Sequence, residues 1–330
     1  MLKQSKFLVY FVLVPILQTF QKIGIFDALK TSSFSGMTSE ELAKRFSLKE
    51  EFLGPLCDFL ALHLPEYISK QDDRYVVSDI FYNRSLQNNI FFSLAYEPIF
   101  ANLSALLNGE KDYGVDVERN GMMLSMSSEI YNTPSWRRLC EILATKNIDT
   151  VIDLGCSTGH FLRMILDNSP TMRCFGVEID KDVVRKSMGQ GQKNNISIIN
   201  GDIARPNDWR GNIAANSIPA KAAFIGITVW HEFLYFGEQR LLDILKQYKS
   251  AFPGYVFIVV EYDAIPYANL AVSPEGLKNS ASVYQLIHPL TLQGDPKPKV
   301  YWELLFKKAN IAIQTIESIE PRSVMIVGVL

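Results

Sequence analysis

Cysteine is scarce in this chain: four in 330 residues, Cys57, Cys140, Cys156 and Cys174, with no paired spacing. That excludes a disulfide-stapled scaffold and reads as reduced thiols in a cytosolic protein. Net charge is small too. Lys and Arg number 33 against 35 Asp and Glu, a formal −2 with a pI near 6.1. Such a balance gives no electrostatic reason to expect nucleic acid or an anionic membrane as partner. The apolar run Phe7 to Leu17 follows Lys3 and Lys6 and imitates a signal peptide. It carries Pro15, lacks a small-residue cleavage site and is too short to span a bilayer, so a buried packing helix is expected. The length suffices for two domains.

What is present is concentrated in the middle. In VIDLGCSTGHF, Val151 to Phe161, a β-branched run ends in Asp153, and Gly155, Ser157 and Gly159 lead into an amphipathic segment. This predicts a strand, a tight turn and a helix N-terminus, where backbone N–H groups can approach a ligand closely. A second strand ends in Glu178 within GVEID, Gly176 to Asp180, where an acid can hold two ribose hydroxyls. A dinucleotide fingerprint would need glycines where Ser157 and His160 stand. Gly155-Cys156-Ser157-Thr158-Gly159 also matches the G-x-S-x-G nucleophile elbow. The elbow, however, gives no reason for acids at both Asp153 and Glu178, and it normally follows several strands rather than the first.

Together these segments resemble the first two motifs of class I S-adenosylmethionine-dependent methyltransferases. The resemblance implies an enzyme that moves a methyl group, with Asp153, Gly155, Ser157, Gly159, Glu178 and Ile179 around S-adenosylmethionine. That cofactor has no phosphate and tolerates a looser turn. Asp180 reads instead as an N-cap for a helix over 181–188.

Residues 24–78 read as helix, turn, helix and hairpin. Thr38-Ser39-Glu40-Glu41 and Ser47-Leu48-Lys49-Glu50 each have the form of a capping box. Leu53, Leu56, Cys57, Leu60 and Leu64 share one helix face, and Tyr67-Ile68 and Tyr75-Val77 flank a polar turn. The arrangement is that of a winged helix. DNA reading is disfavoured, because residues 1–85 hold ten basic and ten acidic side chains and the second helix is acidic. The module resembles the winged-helix dimerisation domain that precedes the catalytic domain of many small-molecule O-methyltransferases. That implies a homodimer, with helices over Phe7–Phe26 and Ile90–Leu107 interlocking between subunits. The expected division is 1–110 for dimerisation and 111–330 for the methyltransferase domain.

From 148 on, strands are expected at 148–154, 172–178, 196–199, 222–228, 255–261, 311–316 and 323–329. Alternation with helices predicts a mostly parallel sheet covered on both sides. The resemblance makes the fold α/β: a Rossmann-like seven-stranded sheet with one reversed strand. Asp202 and Ile203, after the third strand, look like the motif that meets adenine, although Asp202 as a turn cap fits nearly as well.

His231-Glu232 closes the fourth strand, where ligands bind in doubly wound folds. Its position matches the His-Asp of O-methyltransferases, whose histidine removes the acceptor's proton, and Glu261 matches the acid that orients it. Downstream the chain departs from that family. In LIHPLTLQGDPKPKVYWELL, Leu286 to Leu305, the family's second acid is displaced to Asp295 and His288 appears. Two of only four histidines thus fall on segments the fold brings together. That pairing looks like the metal-dependent α-keto-acid C-methyltransferases, where two histidines hold a cation; His231 and His288 would hold a divalent first-row metal. For His288, a helix-end residue before Pro289 stands even with the ligand role. His288 and the missing acid tilt the expectation toward metal-assisted C-methylation of an α-keto acid. The alternatives are O-methylation of a phenol, hydroxyl or carboxylate with His231 as base, and a non-catalytic regulator with a sensor domain. No nucleic acid or membrane is expected as partner.

Overall fold

Helical spacing in the first hundred residues and strand–helix alternation after 148 both appear in the three-dimensional arrangement. The computed structural model describes residues 2–32, 35–82, 85–131, 133–189, 195–214, 221–319 and 322–330. The chain forms two compact units, Met1–Ala101 with Arg119–Tyr131, and Asn102–Glu118 with Asn132–Leu330.

In the first unit the helix Leu2–Ile23 is twice as long as its apolar run suggested, and only one face packs inward. Leu13, Ile16, Leu17 and Phe20, at i, i+3, i+4 and i+7, enter the core, whereas Phe7 and Phe11 are each 69% exposed. The window Lys6–Ile23 is, by length and composition, apolar enough to cross a membrane, and 22% of it is buried. Gly24 at φ 90 ends this helix and a second one, Ile25–Thr31, begins. The expected single helix over Phe7–Phe26 is therefore broken, at a backbone angle that glycine adopts without strain. The helix expected over Ile90–Leu107 is also split, into Ser85–Ala101 and Leu103–Leu107.

The first capping box forms: Glu41 N donates to Thr38 Oγ1 at 3.1 Å, and Thr38 N donates to the Glu41 carboxylate at 2.9 Å. The second does not. Ser47 takes the left-handed conformation (φ 55) that ends the helix Ser39–Phe46. It cannot also adopt the extended backbone of an N-cap, so Glu50–His63 starts after Lys49 with no side-chain cap. Strands β1 (Ile68–Gln71) and β2 (Arg74–Val77) then pair antiparallel, with Gln71 opposite Arg74. Asp72 and Asp73 both have positive φ (46 and 64), the geometry of a two-residue type I′ turn. Asp58, on the helix Glu50–His63, ties the hairpin down by accepting from Tyr75 Oη (2.8 Å) and Lys70 Nζ (2.9 Å).

In the second unit seven strands run β3 (Thr150–Leu154), β4 (Arg173–Glu178), β5 (Ile196–Asn200), β6 (Ala222–Ile227), β7 (Val256–Tyr262), β8 (Ala312–Ile319) and β9 (Ser323–Val329). Their order is β5-β4-β3-β6-β7-β9-β8, with β9 antiparallel to both neighbours and the remaining pairs parallel. The seven-stranded sheet with one reversed strand is thus as expected. Alternate residues enter two cores. Ile152, Leu154, Phe224 and Phe257 face Trp209, Tyr248 and Trp302; Val151, Ala223, Ile225 and Ile258 face Trp136, Phe161 and Leu162. Burial on both faces explains why these strands read as continuous apolar runs. Strand order reverses direction at β3, between β4 and β6. That opens a crevice beyond the carboxyl ends of β3 and β6, where ligands bind in such sheets.

The hairpin turn supplies a direct check. Asp73→Gly should stabilise the protein by about 0.5–1 kcal/mol by relieving a left-handed residue and separating two adjacent carboxylates. Urea denaturation measures this, and a lowered midpoint would mean the turn is not of the I′ type.

Candidate active site

The crevice has two halves, both in the second unit. In the first, Gly155, Ser157 and Gly159 have φ of 73, 51 and 75. A Cβ on Gly155 would fall 2.8 Å from Val229 Cγ1, so the loop passes β6's continuation at a distance only glycine allows. Gly159 begins the helix His160–Asn168. The Ser157 N–H donates to Glu178 Oε2 at 2.9 Å and the Asp180 N–H donates to Oε1 at 3.0 Å, which joins the two motifs through one carboxylate. Burial raises the Glu178 pKa against the lowering effect of these backbone donors. Asp153, 5% exposed, is pushed up to about 7 by burial and by the charge of Glu178. Buried Asp153 and half-buried Glu178 thus stand together beside the glycine loop.

Asp180 is the N-cap the sequence suggested, accepting from Asp182 N and Val183 N. Asp202 Oδ1 accepts from Ala204 N at 2.8 Å and its Oδ2 lies 3.5 Å from Arg205. The turn-capping contact is therefore made. Ile203 packs partly on the first core, while Ile179 is 66% exposed. Asn200, which opens the Asn200-Gly201-Asp202-Ile203 stretch, donates to the carbonyls of Glu178 and Ile179 at 3.0 Å and holds β5 to the end of β4.

The second half is built on β6 and β7. After Thr228, at φ 53, the chain enters a tight 3₁₀ turn, His231–Phe236. Glu261, 1% exposed, accepts from Trp230 N (2.7 Å) and His231 N (3.3 Å) through Oε1, and pairs with His231 Nδ1 at 2.7 Å through Oε2. His288 lies on the helix Glu275–Leu290, where its Nδ1 pairs with the carbonyl of Tyr284. Its Nε2 stands 3.0 Å from His231 Nε2, and both rings are 2% exposed. Carboxylate and carbonyl only accept, so in both neutral rings the hydrogen sits on Nδ1. Two Nε2 lone pairs then face each other, a contact that becomes favourable when a proton or metal ion lies between them. Two nitrogens bound to one ion at about 2.1 Å and a right angle would also be about 3.0 Å apart. Among the described residues no group of three or more His, Cys, Asp or Glu could hold a metal.

Glu232 Oε1 accepts from Gln293 Nε2. Asp295, the displaced acid, is exposed and lies 3.9 Å from Lys297. Gln293 carried no sequence signal, because an amide in a turn is read as a solvated residue.

Sheet order, glycine loop and paired acids define the class I methyltransferase fold. The comparisons agree. Residues 131–217 match the FtsJ-like methyltransferase family. An O-methyltransferase family protein from Burkholderia thailandensis superposes with a TM-score of 0.69 at 16% identity, covering 99% of this chain and 97% of its own. Human N-acetylserotonin methyltransferase, in complex with S-adenosylmethionine, gives 0.71 at 12% identity, covering 99% and 96%. PigF with S-adenosylhomocysteine gives 0.68 at 16%, covering 100% and 99%. No curated protein matches the sequence.

The raised Asp153 has a pH consequence. Its folded pKa of about 7 lies above the ordinary 3.8, so the fold holds a proton that the unfolded chain has lost. Stability contributed by this group is complete below about pH 4 and lost as pH rises to about 7. Asp153→Asn should flatten the stability profile of the ligand-free protein across that window, as measured by urea denaturation between pH 5 and 8. An unchanged slope would place the titration elsewhere.

Proposed function

We propose that the protein is an S-adenosylmethionine-dependent methyltransferase acting on a small-molecule acceptor, with oxygen as the leading acceptor atom. The buried Glu261–His231 dyad, set after β6 and beside the strand β3 that leads into the glycine loop, carries this reading. The neighbours described as O-methyltransferases support oxygen over the carbon acceptor that His288 first suggested. The sulfonium donor supplies an already activated methyl group. Glu178 holds the ribose, Asp153 faces the amino-acid end, and Ile179, Asp202 and Ile203 border the adenine. His231 removes the acceptor's proton at Nε2, and Glu261 fixes the tautomer and stabilises the resulting imidazolium. His288 shares that proton across the 3.0 Å contact. The rest is placement and exclusion of water, and placement alone contributes roughly 7–11 kcal/mol in favourable cases.

The facing lone pairs favour a second reading. A divalent ion held by His231 and His288 would stabilise the enolate of an α-keto acid for C-methylation. A regulator with a vestigial sensor would not need a base dyad beside an intact cofactor loop.

The exposed face of Leu2–Ile23, with Phe7, Leu8, Tyr10 and Phe11 outermost, supports a homodimer through the first unit, since such a face is costly in water. Light scattering at micromolar concentration should report twice 37.4 kDa; a monomer would refute this.

Glu178→Ala should weaken S-adenosylhomocysteine binding in calorimetry, while His231→Ala should keep it and lose a factor of roughly 10²–10⁴ in turnover. A labelled-donor screen of phenols and α-keto acids, with and without chelator, assigns the acceptor. Turnover of phenols that survives chelation supports oxygen; chelator-sensitive turnover confined to α-keto acids supports carbon.

A further inference from the structure

Two residues, one in the last turn of a helix and one just beyond it, meet two consecutive residues of the turn after β6. His288 meets His231, and Gln293, five positions on, meets Glu232. The chain between them is under tight constraint. Pro289 sits in the last helical turn, Leu292 takes a left-handed φ of 50, and a Cβ on Gly294 would fall 2.7 Å from Tyr235 N. Gln293 N donates back to the His288 carbonyl at 2.9 Å, and Thr291 Oγ1 lies 2.9 Å from both Ile287 O and Gln293 Oε1. Gln293 is only 8% exposed. Burying an amide costs free energy unless both ends are bonded, and an apolar side chain would fill the same space without that cost. A buried glutamine bonded at both ends is therefore explained by what it holds.

We propose that Gln293 is a positioning residue: by tying the 291–294 turn to Glu232, it sets His288 against His231. The helix Glu275–Leu290 ends at this turn, so the tether fixes how far the His288 ring advances toward its partner. The inference rests on the proposed use of His231 only for its effect on turnover, not for the ring geometry.

The chain has four histidines, so ring ¹⁵N spectra of histidine-labelled full-length protein can be assigned by substitution, with His63 and His160 as internal references. Gln293→Met keeps length and volume and removes both amide bonds. It should shift or broaden the His231 and His288 ring signals and leave the other two in place. The exchanged pair Glu232→Gln with Gln293→Glu can re-form the tether with donor and acceptor reversed, and should restore the parent spectrum. Unmoved signals in Gln293→Met, or moved signals that the exchanged pair does not restore, would overturn the proposal. On an acceptor from the labelled-donor screen, Gln293→Met should lower kcat by about 10–100-fold with S-adenosylhomocysteine affinity unchanged. Moved rings with unchanged kcat would also overturn it. Moved and restored rings in a parent that transfers no methyl group would leave the positioning role standing and remove the proposed function.

Discussion

The carboxylate of Glu261 has no access to water and satisfies its charge from one turn: two successive backbone N–H groups and the imidazole of His231. A buried anion without such partners would cost several kcal/mol. The turn after β6 must therefore take a shape that presents Trp230 N, His231 N and His231 Nδ1 together. Gly226 makes room for it, since a side chain there would strike the indole of Trp230. Sheet register supplies the rest, because β6 and β7 pair in parallel up to Ile227 and Val260, one residue before the acid. The orientation of His231 thus follows from strand pairing and one buried charge.

The cofactor half rests on the opposite arrangement. Here acids are brought close to each other, and the backbone of the glycine loop only partly compensates them. Burial and the neighbouring Glu178 charge instead favour a proton on Asp153. One crevice therefore has a satisfied anion on one side and, on the other, acids whose charged form is disfavoured. That asymmetry separates a part that must stay fixed from a part that exchanges its occupant.

Much of this was legible in the sequence because it is periodic or local. Apolar runs located the strands, and β3, β6, β7 and β9, buried on both faces, admit little else, whereas the edge strands β5 and β8 stay partly exposed. Asp153, Gly155, Gly159 and Glu178 were visible because the spacing of strand, turn and helix fixes where a loop can carry them. The failures share a different cause. Ser47 had the right neighbours for a cap, but the preceding helix used it first as a left-handed terminus. Gly24 broke a helix whose apolar pattern ran straight through it. Gln293 became readable only once Gly294 was seen to bring its turn against the residues after His231. Competition between adjacent elements and contacts across long sequence separations leave no periodic trace.

The contact between Gly155 and Val229 has a wider consequence. It sets the donor loop and the base-bearing turn on neighbouring strands, so their separation is a lattice constant of the sheet, about 4.8 Å per strand. The spacing between the glycine loop and the turn that carries His231 is then inherited from backbone pairing. Substitutions in the surrounding helices can reshape the space around the two loops while the spacing itself, fixed by the strands, stays as it is.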